Sequence, residues 1–278
     1  MNIRMWALLG MVLGTAAQAQ ELPRESPVPG GIAIVPLASE TEPAPTAQFA
    51  GNRVMVVRRD GQWEAVVGLP LTLTPGKQVV TANIGQRRIM EYPFTVQPKE
   101  YAVQRLTVKD KRMVEPTKED LARIAREQKI IRHVFTIWTE QPMSSLQFRK
   151  PLRGTISSVF GLQRFFNNEP RQPHSGIDIA APIGAKVVAP LAGVVAETGE
   201  YFFNGKTVFI DHGQGLISMF NHFSRITVKP GMHVKQGDKV GEVGMSGRVT
   251  GPHLHWSVSL NNSRVDPELF LPGEKLQR

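Results

Sequence analysis

Two short stretches in the second half of the chain hold side chains that could bind a metal ion. The first contains His174 and Asp178, and the second contains His253 and His255. In a strand, residues separated by an even number of positions share one face, so His174 and Asp178 would face one way and His253 and His255 would lie side by side. Two such strands placed next to each other would bring four metal-binding side chains together.

This set of side chains suits one metal in particular. Neutral imidazoles and a carboxylate match Zn²⁺, and a catalytic zinc usually takes three protein ligands and one water. Four candidates for three places leave one His over, and the residue types do not decide which. A lone His is most often an ordinary structural or exposed residue. The paired spacing, in a chain with only seven His, argues against that interpretation here.

The spacing of these motifs resembles that of the lysostaphin/LytM-type zinc metallopeptidases, which cut peptide bonds in peptidoglycan. The similarity is carried by His-x-x-x-Asp at 174–178, an isolated histidine at His222, and Gly-Pro-His-Leu-His at 251–255. It extends over residues 148–272. The combination is highly specific, although either half alone would be only moderately so.

The resemblance implies a role for each of the five residues. His174, Asp178 and His255 match the ligands of one zinc ion per chain, and His222 and His253 match catalytic histidines. Zinc would provide a hydroxide nucleophile at neutral pH, and the two histidines would provide acid and base catalysis.

Two features near the motifs concern the substrate. Phe220 and Phe223 flank His222 where Tyr and Leu are common in the family, which puts in doubt any substrate contact through a Tyr hydroxyl. Arg164 and Arg171 lie in a basic stretch before His174 and are candidates to receive a substrate carboxylate. A solvated basic loop is an equally good interpretation of that stretch.

The resemblance therefore implies a secreted, zinc-dependent peptidoglycan hydrolase. Exported enzymes of this type commonly cut stem-peptide cross-links, and the wall-targeting module usual in glycine-bridge cutters is not found, so we expect a D,D-endopeptidase. The alternative is a catalytically weak wall-binding scaffold, or an activator of another wall hydrolase. The filled ligand positions favour the enzyme.

The first residues predict export to the periplasm or cell envelope. Arg4 is the only charge before an apolar run that ends in Ala17-Gln18-Ala19, so residues 1–19 are interpreted as a signal peptide rather than a permanent anchor. The chain lacks Cys, which excludes a lipid-modified cysteine at the cleavage site and excludes disulfides. The formal charge of +9 suits the anionic wall, and nucleic acid is discounted because of export.

The patterning of the 278 residues predicts a mainly β chain of two domains. Short apolar segments separated by turn signals predict an N-terminal β-sandwich over 20–112, with a flexible leader, which resembles an immunoglobulin-like domain. A helical linker over 113–147 precedes an antiparallel β metallopeptidase domain over 148–278. The first domain contains no ligand-type cluster, so we expect it to be dispensable for chemistry.

Local signals add three expectations. Thr117 followed by Asp120 predicts the start of an amphipathic helix that ends before Pro142. The last strand of the sandwich is expected over Val103–Val108. Asn204-Gly205 predicts a hairpin.

Three histidines lie outside the motifs, and two phrases of the sequence suggest a different fold. His133, His212 and His233 are interpreted as surface or structural residues. The phrases at 185–193 and 234–241 also resemble small barrels that carry biotin or lipoate. The chain lacks the lysine hairpin that such carriers modify.

Overall fold

A computed structural model describes residues 21–85, 89–108, 110–141 and 145–273 of the chain. The predicted signal peptide lies outside these ranges. The described part is mainly β with one α-helix, which confirms the predicted fold class. No helix in these ranges is both long and apolar enough to cross a membrane.

The N-terminal region forms one curled antiparallel sheet. Its six strands are hydrogen-bonded in the order β1-β4-β3-β2-β5-β6, and the edge strands β1 and β6 approach each other. The two halves of the sheet enclose one apolar core that includes Val35, Val67 and Val80. The strands are β1 (Ile32–Ser39), β2 (Thr46–Phe49), β3 (Asn52–Arg59), β4 (Gln62–Gly68), β5 (Gly76–Asn83) and β6 (Ile89–Val96).

The strands that follow β6 in the chain are β7 (Val103–Leu106), β8 (Thr155–Ser158), β9 (Gln163–Phe166), β10 (Glu169–Pro170), β11 (Ile177–Ala180), β12 (Lys186–Val188), β13 (Gly193–Tyr201), β14 (Gly205–Gly213), β15 (Leu216–Ile226), β16 (His233–Val234), β17 (Lys239–Val243), β18 (His253–Leu260) and β19 (Ser263–Val265). Most of them form a larger antiparallel sheet with the path β16-β13-β14-β15-β18-β11-β8, to which β12, β17 and β19 attach. Gly205 opens β14 at a positive φ of 62°, and the predicted hairpin between β13 and β14 is confirmed.

Strand β7 pairs differently from the sequence prediction. It was expected to complete the N-terminal sandwich, but it lies parallel to β9 in a three-stranded sheet with β10. The register pairs Gln104 with Arg164. The connecting segment is therefore built into the C-terminal region.

The two regions also share an apolar core. Ile32, Met55 and Val66 of the N-terminal sheet belong to the same buried cluster as the interior of the C-terminal sheet. The Asn261 side chain accepts a hydrogen bond from the Gly68 amide (2.6 Å) and donates one to the Gly68 carbonyl (3.0 Å). The amide of Asn261 thus fixes the position of one sheet against the other.

The α-helix found among the described residues, α1, covers Lys118–Phe135. The predicted start is confirmed, because Thr117 and Asp120 form a capping box in which each side chain accepts a bond from the other residue's backbone N–H. The helix ends earlier than predicted. The Thr136 hydroxyl and N–H both donate to the His133 carbonyl, which satisfies a carbonyl of the last turn. Thr136 and Ile137 are β-branched, and such residues disfavour continuation of a helix.

Candidate metal centre and active site

Strand β18 presents two of the predicted site histidines. His253 and His255 share one face of this strand, while Leu254 and Trp256 are fully buried on the other, as the alternation predicted. Strand β11 pairs with β18 so that Asp178 lies directly opposite His255. Strand pairing thus brings the two stretches together.

His174 reaches the site from a loop rather than from a strand, which differs from the sequence expectation. Strand β11 begins only at Ile177. His174 is held in front of it by backbone hydrogen bonds, since its N–H donates to the Leu162 carbonyl and its carbonyl accepts from the Gly161 N–H. The side chain is nevertheless buried beside Asp178.

Three atoms that could bind a metal ion lie close together. His174 Nε2 lies 3.0 Å from Asp178 Oδ1 and 3.0 Å from His255 Nδ1, and His255 Nδ1 lies 2.8 Å from Asp178 Oδ1. All three residues are buried, and their ligand atoms lie within 4.8 Å of one another. This is a tight facial arrangement of two imidazole nitrogens and one carboxylate oxygen.

The hydrogen bonds of His174 favour a metal ion at this point. Its Nδ1 lies 2.7 Å from the Val159 carbonyl, which can only accept, so Nδ1 carries the proton. Its other nitrogen, Nε2, lies 3.0 Å from the carboxylate oxygen Asp178 Oδ1. A cation, either a proton or a metal ion, is needed between two such atoms at this distance. The residues fit a divalent metal.

The protonation states of the other two residues also fit. Burial alone would raise the pKa of Asp178, but its close contacts with the His174 and His255 rings outweigh burial and hold that pKa well below its ordinary value. Burial lowers the pKa of His255 to about 4. An ionised carboxylate and a neutral imidazole are the forms that bind a metal.

A glycine allows β11 and β18 to approach this closely. A Cβ at Gly176 would lie 2.4 Å from the Trp256 carbonyl oxygen and 2.9 Å from His255 Nε2. His255 Nε2 hydrogen-bonds to Ser257 Oγ at 2.9 Å, which orients the ring. Any side chain at position 176 would displace this ring.

Arg164 contacts the carboxylate from the other side. Its Nη2 donates to Asp178 Oδ2 at 2.7 Å and to Ser158 Oγ at 2.9 Å, and its Nε donates to Gln104 Oε1 at 3.0 Å. Oδ2 is thereby occupied while Oδ1 faces the two histidines. Arg164, which was a candidate to bind a substrate carboxylate, instead forms an ion pair with Asp178.

The remaining two histidines lie next to the ligand cluster. The ring centroid of His222 lies 4.8 Å from that of His253 and 6.2 Å from that of His255. His253 Nε2 is 3.8 Å from Asp178 Oδ1. All five predicted histidine and aspartate residues therefore come together in one place.

Both of these rings are oriented through Nδ1. His222 Nδ1 donates to the Ser246 carbonyl and His253 Nδ1 donates to the Gly251 carbonyl, each at 2.8 Å. Nε2 is therefore the nitrogen of each ring that is not bonded to a backbone carbonyl. Burial, followed by the charges of His253 and His255, lowers the pKa of His222 to about 3.

His222 occupies an unusual backbone position. Its φ is +68°, in the left-handed region that non-glycine residues rarely adopt, and its N–H donates to the Asn204 carbonyl. Such strain is typically retained where surrounding contacts fix a functional side chain. The neighbouring Phe220 is fully buried in the core, so its ring fills space in the interior.

The other predicted residues lie apart from the ligand cluster. His212 is buried, donates from Nδ1 to the Ala192 carbonyl and hydrogen-bonds through Nε2 to Ser218, so its structural interpretation is confirmed. His133 and His233 are exposed, as expected. Arg171 donates from Nη2 to the Val114 carbonyl at 3.1 Å.

Comparison with known proteins identifies the family. Residues 172–267 match the model of peptidase family M23, and residues 25–99 match the M23 N-terminal domain. A solved structure of a Pseudomonas aeruginosa protein assigned to peptidase M23 is 43% identical, with a TM-score of 0.76 over 89% of this chain and 96% of that chain. The chain belongs to peptidase family M23. The resemblance inferred from the motifs is thus confirmed.

Curated relatives match part of this M23 chain. The peptidoglycan DD-endopeptidases ShyC and ShyA of Vibrio cholerae are 38% and 39% identical over 45% and 40% of this chain, which correspond to 28% and 26% of their own lengths. The DD-carboxypeptidase/endopeptidase Mpg of Neisseria meningitidis is 38% identical over 44% of this chain and 28% of its own length. The chain thus spans about a quarter of the length of these relatives.

Proposed function

We propose that this M23 peptidase is an exported, zinc-dependent peptidoglycan hydrolase that cuts stem-peptide cross-links as a D,D-endopeptidase. The observation that carries the proposal is the cluster of His174 Nε2, Asp178 Oδ1 and His255 Nδ1, with separations of 2.8–3.0 Å. The names of ShyA, ShyC and Mpg support the substrate class.

In this proposal, His174, Asp178 and His255 hold one zinc ion. When bound, zinc supplies Lewis-acid catalysis, since it makes water nucleophilic at neutral pH and polarises the scissile carbonyl. Arg164 fixes the carboxylate through Oδ2 and leaves Oδ1 for the metal. Ser257 similarly orients the His255 ring.

His222 and His253 carry the proton transfers. Each ring has its Nδ1 proton committed to a backbone carbonyl, so Nε2 is the atom that can accept a proton from the attacking water. A ring protonated at Nε2 can then deliver that proton to the leaving amine. Acid and base catalysis of this kind contributes roughly 10²- to 10⁴-fold to the rate.

The catalytically weak scaffold remains the competing hypothesis, and digestion of purified sacculi separates the two. The full mature chain is incubated with sacculi alone, with a chelator, and with a chelator followed by added zinc, and the released muropeptides are analysed by mass spectrometry. We expect cross-linked dimers to become monomers with the gain of one water, to be blocked by the chelator, and to recover with zinc. Unchanged dimers in all three samples would contradict the proposal and favour the scaffold.

A further inference from the structure

A third arginine, Arg248, lies close to the proposed active site, in addition to Arg164 and Arg171. Arg248 belongs to the loop between β17 and β18, and its guanidinium carbon stacks over the rings of Phe166 at 4.6 Å and Phe203 at 4.3 Å. Its backbone N–H donates to the Phe203 carbonyl at 2.9 Å. Stacking on both rings fixes the guanidinium plane and leaves its N–H edge for hydrogen bonds.

Three guanidinium groups converge at this position. Arg164 and Phe166 are two residues apart on β9 and share one face, so stacking on Phe166 brings Arg248 next to Arg164. The Arg171 guanidinium donates to the Val114 carbonyl and the Arg248 guanidinium to the adjacent Met113 carbonyl, which places these two groups close together. Burial, followed by the charges of Arg164 and Arg171, lowers the pKa of Arg248 to about 10, in agreement with this proximity.

The three cations differ in how they are paired. Arg164 forms an ion pair with Asp178. Within the described part of the chain, Arg171 and Arg248 form no ion pair, and their guanidinium groups donate hydrogen bonds to backbone carbonyls alone, namely those of Pro170, Val114 and Met113. Two neighbouring, partly buried cations without a carboxylate form a site that an anion would stabilise.

The cation pair borders the catalytic histidines. The loop that carries Arg248 also provides the Ser246 carbonyl that orients His222, and it leads directly into His253. On the facing side, the Phe203 carbonyl binds Arg248 and the adjacent Asn204 carbonyl binds His222. An anion held here would lie beside the bond that the site hydrolyses.

We propose that Arg248 and Arg171 form a subsite for a free carboxylate of the peptide substrate. This inference rests on the proposed function, and it adds that the site selects peptides with a negative charge at this position. Stem peptides carry free carboxylates near their cross-links, and the planar guanidinium fork matches a carboxylate in two parallel hydrogen bonds. Phe166 and Phe203 hold one fork rigid, which reduces the entropy lost on binding.

The test uses two soluble cross-linked muropeptides that differ only in one group, a free or an amidated carboxyl next to the cross-link. For the wild-type chain, we expect amidation to raise KM by about 10- to 100-fold with little change in kcat, because a charge-assisted pair is lost. The Arg248→Gln variant should show a similar rise with the free substrate and little discrimination between the two. The Arg248→Lys variant should retain part of the discrimination between the two substrates.

Arg105→Gln provides the matched control, because Arg105 also stacks on an aromatic ring, that of Phe165 at 4.6 Å, and is exposed. It should behave as wild type. Arg171→Gln tests the second cation without removing the stacked side chain. Equal kcat/KM for the two substrates with the wild-type chain would overturn the subsite alone. Cleavage of neither substrate by the wild type would overturn the proposed function and the subsite with it.

Discussion

Substitution of single histidines should separate metal ligands from catalytic residues. In zinc-finger peptides, binding of structural zinc through four ligands contributes about 10–16 kcal/mol, or roughly 2.5–4 kcal/mol for each ligand. Removing one of the three ligands with His174→Ala should therefore weaken zinc binding by roughly 10²- to 10³-fold. Activity should fall with it.

His222→Ala should have the opposite signature. The His222 ring is tied through Nδ1 to the Ser246 carbonyl, and its centroid lies 6.2 Å from that of the ligand His255. Zinc affinity should change by less than about threefold, while turnover falls by roughly 10²-fold or more. His222→Asn serves as a second variant, because Asn tolerates the positive φ at this position.

The assay is a competition titration with a chromophoric chelator, run beside turnover of a cross-linked muropeptide. A folded His222→Ala variant that has lost its zinc, together with a His174→Ala variant that retains it, would refute the ligand assignment. The metal site would then have to include His222.

Three further outcomes are expected. Burial lowers the pKa of His212 to about 4, whereas a histidine in the unfolded chain takes up a proton below about pH 6.5. The contribution of His212 to the free energy of unfolding is therefore present above that pH, and about 3 kcal/mol of it is lost as the pH falls to 4. Urea unfolding of His212→Gln should lack this loss, whereas His133→Gln should keep it; equal losses in all three chains would refute the argument. Thr117→Ala removes a helix cap and should lower the free energy of unfolding by about 1 kcal/mol, and an unchanged urea midpoint would count against the capping box. A chain that begins at Ser145 keeps all five site residues and should bind zinc, but its thermal midpoint should fall, because each large apolar side chain uncovered costs roughly 2 kcal/mol. An unchanged midpoint would contradict the shared core that includes Met55.

Features encoded by local spacing could be predicted from the sequence. The alternation of His253 and His255 with buried neighbours follows from the period of a strand, and Thr117 with Asp120 marks a helix start through side chains three residues apart. Fold class and the five-residue site followed from such patterns combined with a family resemblance.

Features that depend on distant pairing could not be predicted in this way. The parallel pairing of β7 with β9 joins Gln104 to Arg164 across 60 positions, and no local pattern distinguishes it from a strand of the N-terminal sheet. Arg248 sits in an irregular loop, where its stacking depends on two rings from other strands. The N-terminal domain, which has no cluster of ligand-type residues, nevertheless contributes to the packing behind the site.

Anomalous diffraction from crystals of the purified mature chain, measured at the zinc absorption edge, would locate the metal ion directly. We expect one anomalous peak per chain, bound by His174 Nε2, Asp178 Oδ1 and His255 Nδ1, with neither His222 nor His253 as a ligand. A peak coordinated by His222 or His253, or no peak in zinc-supplemented crystals, would contradict it.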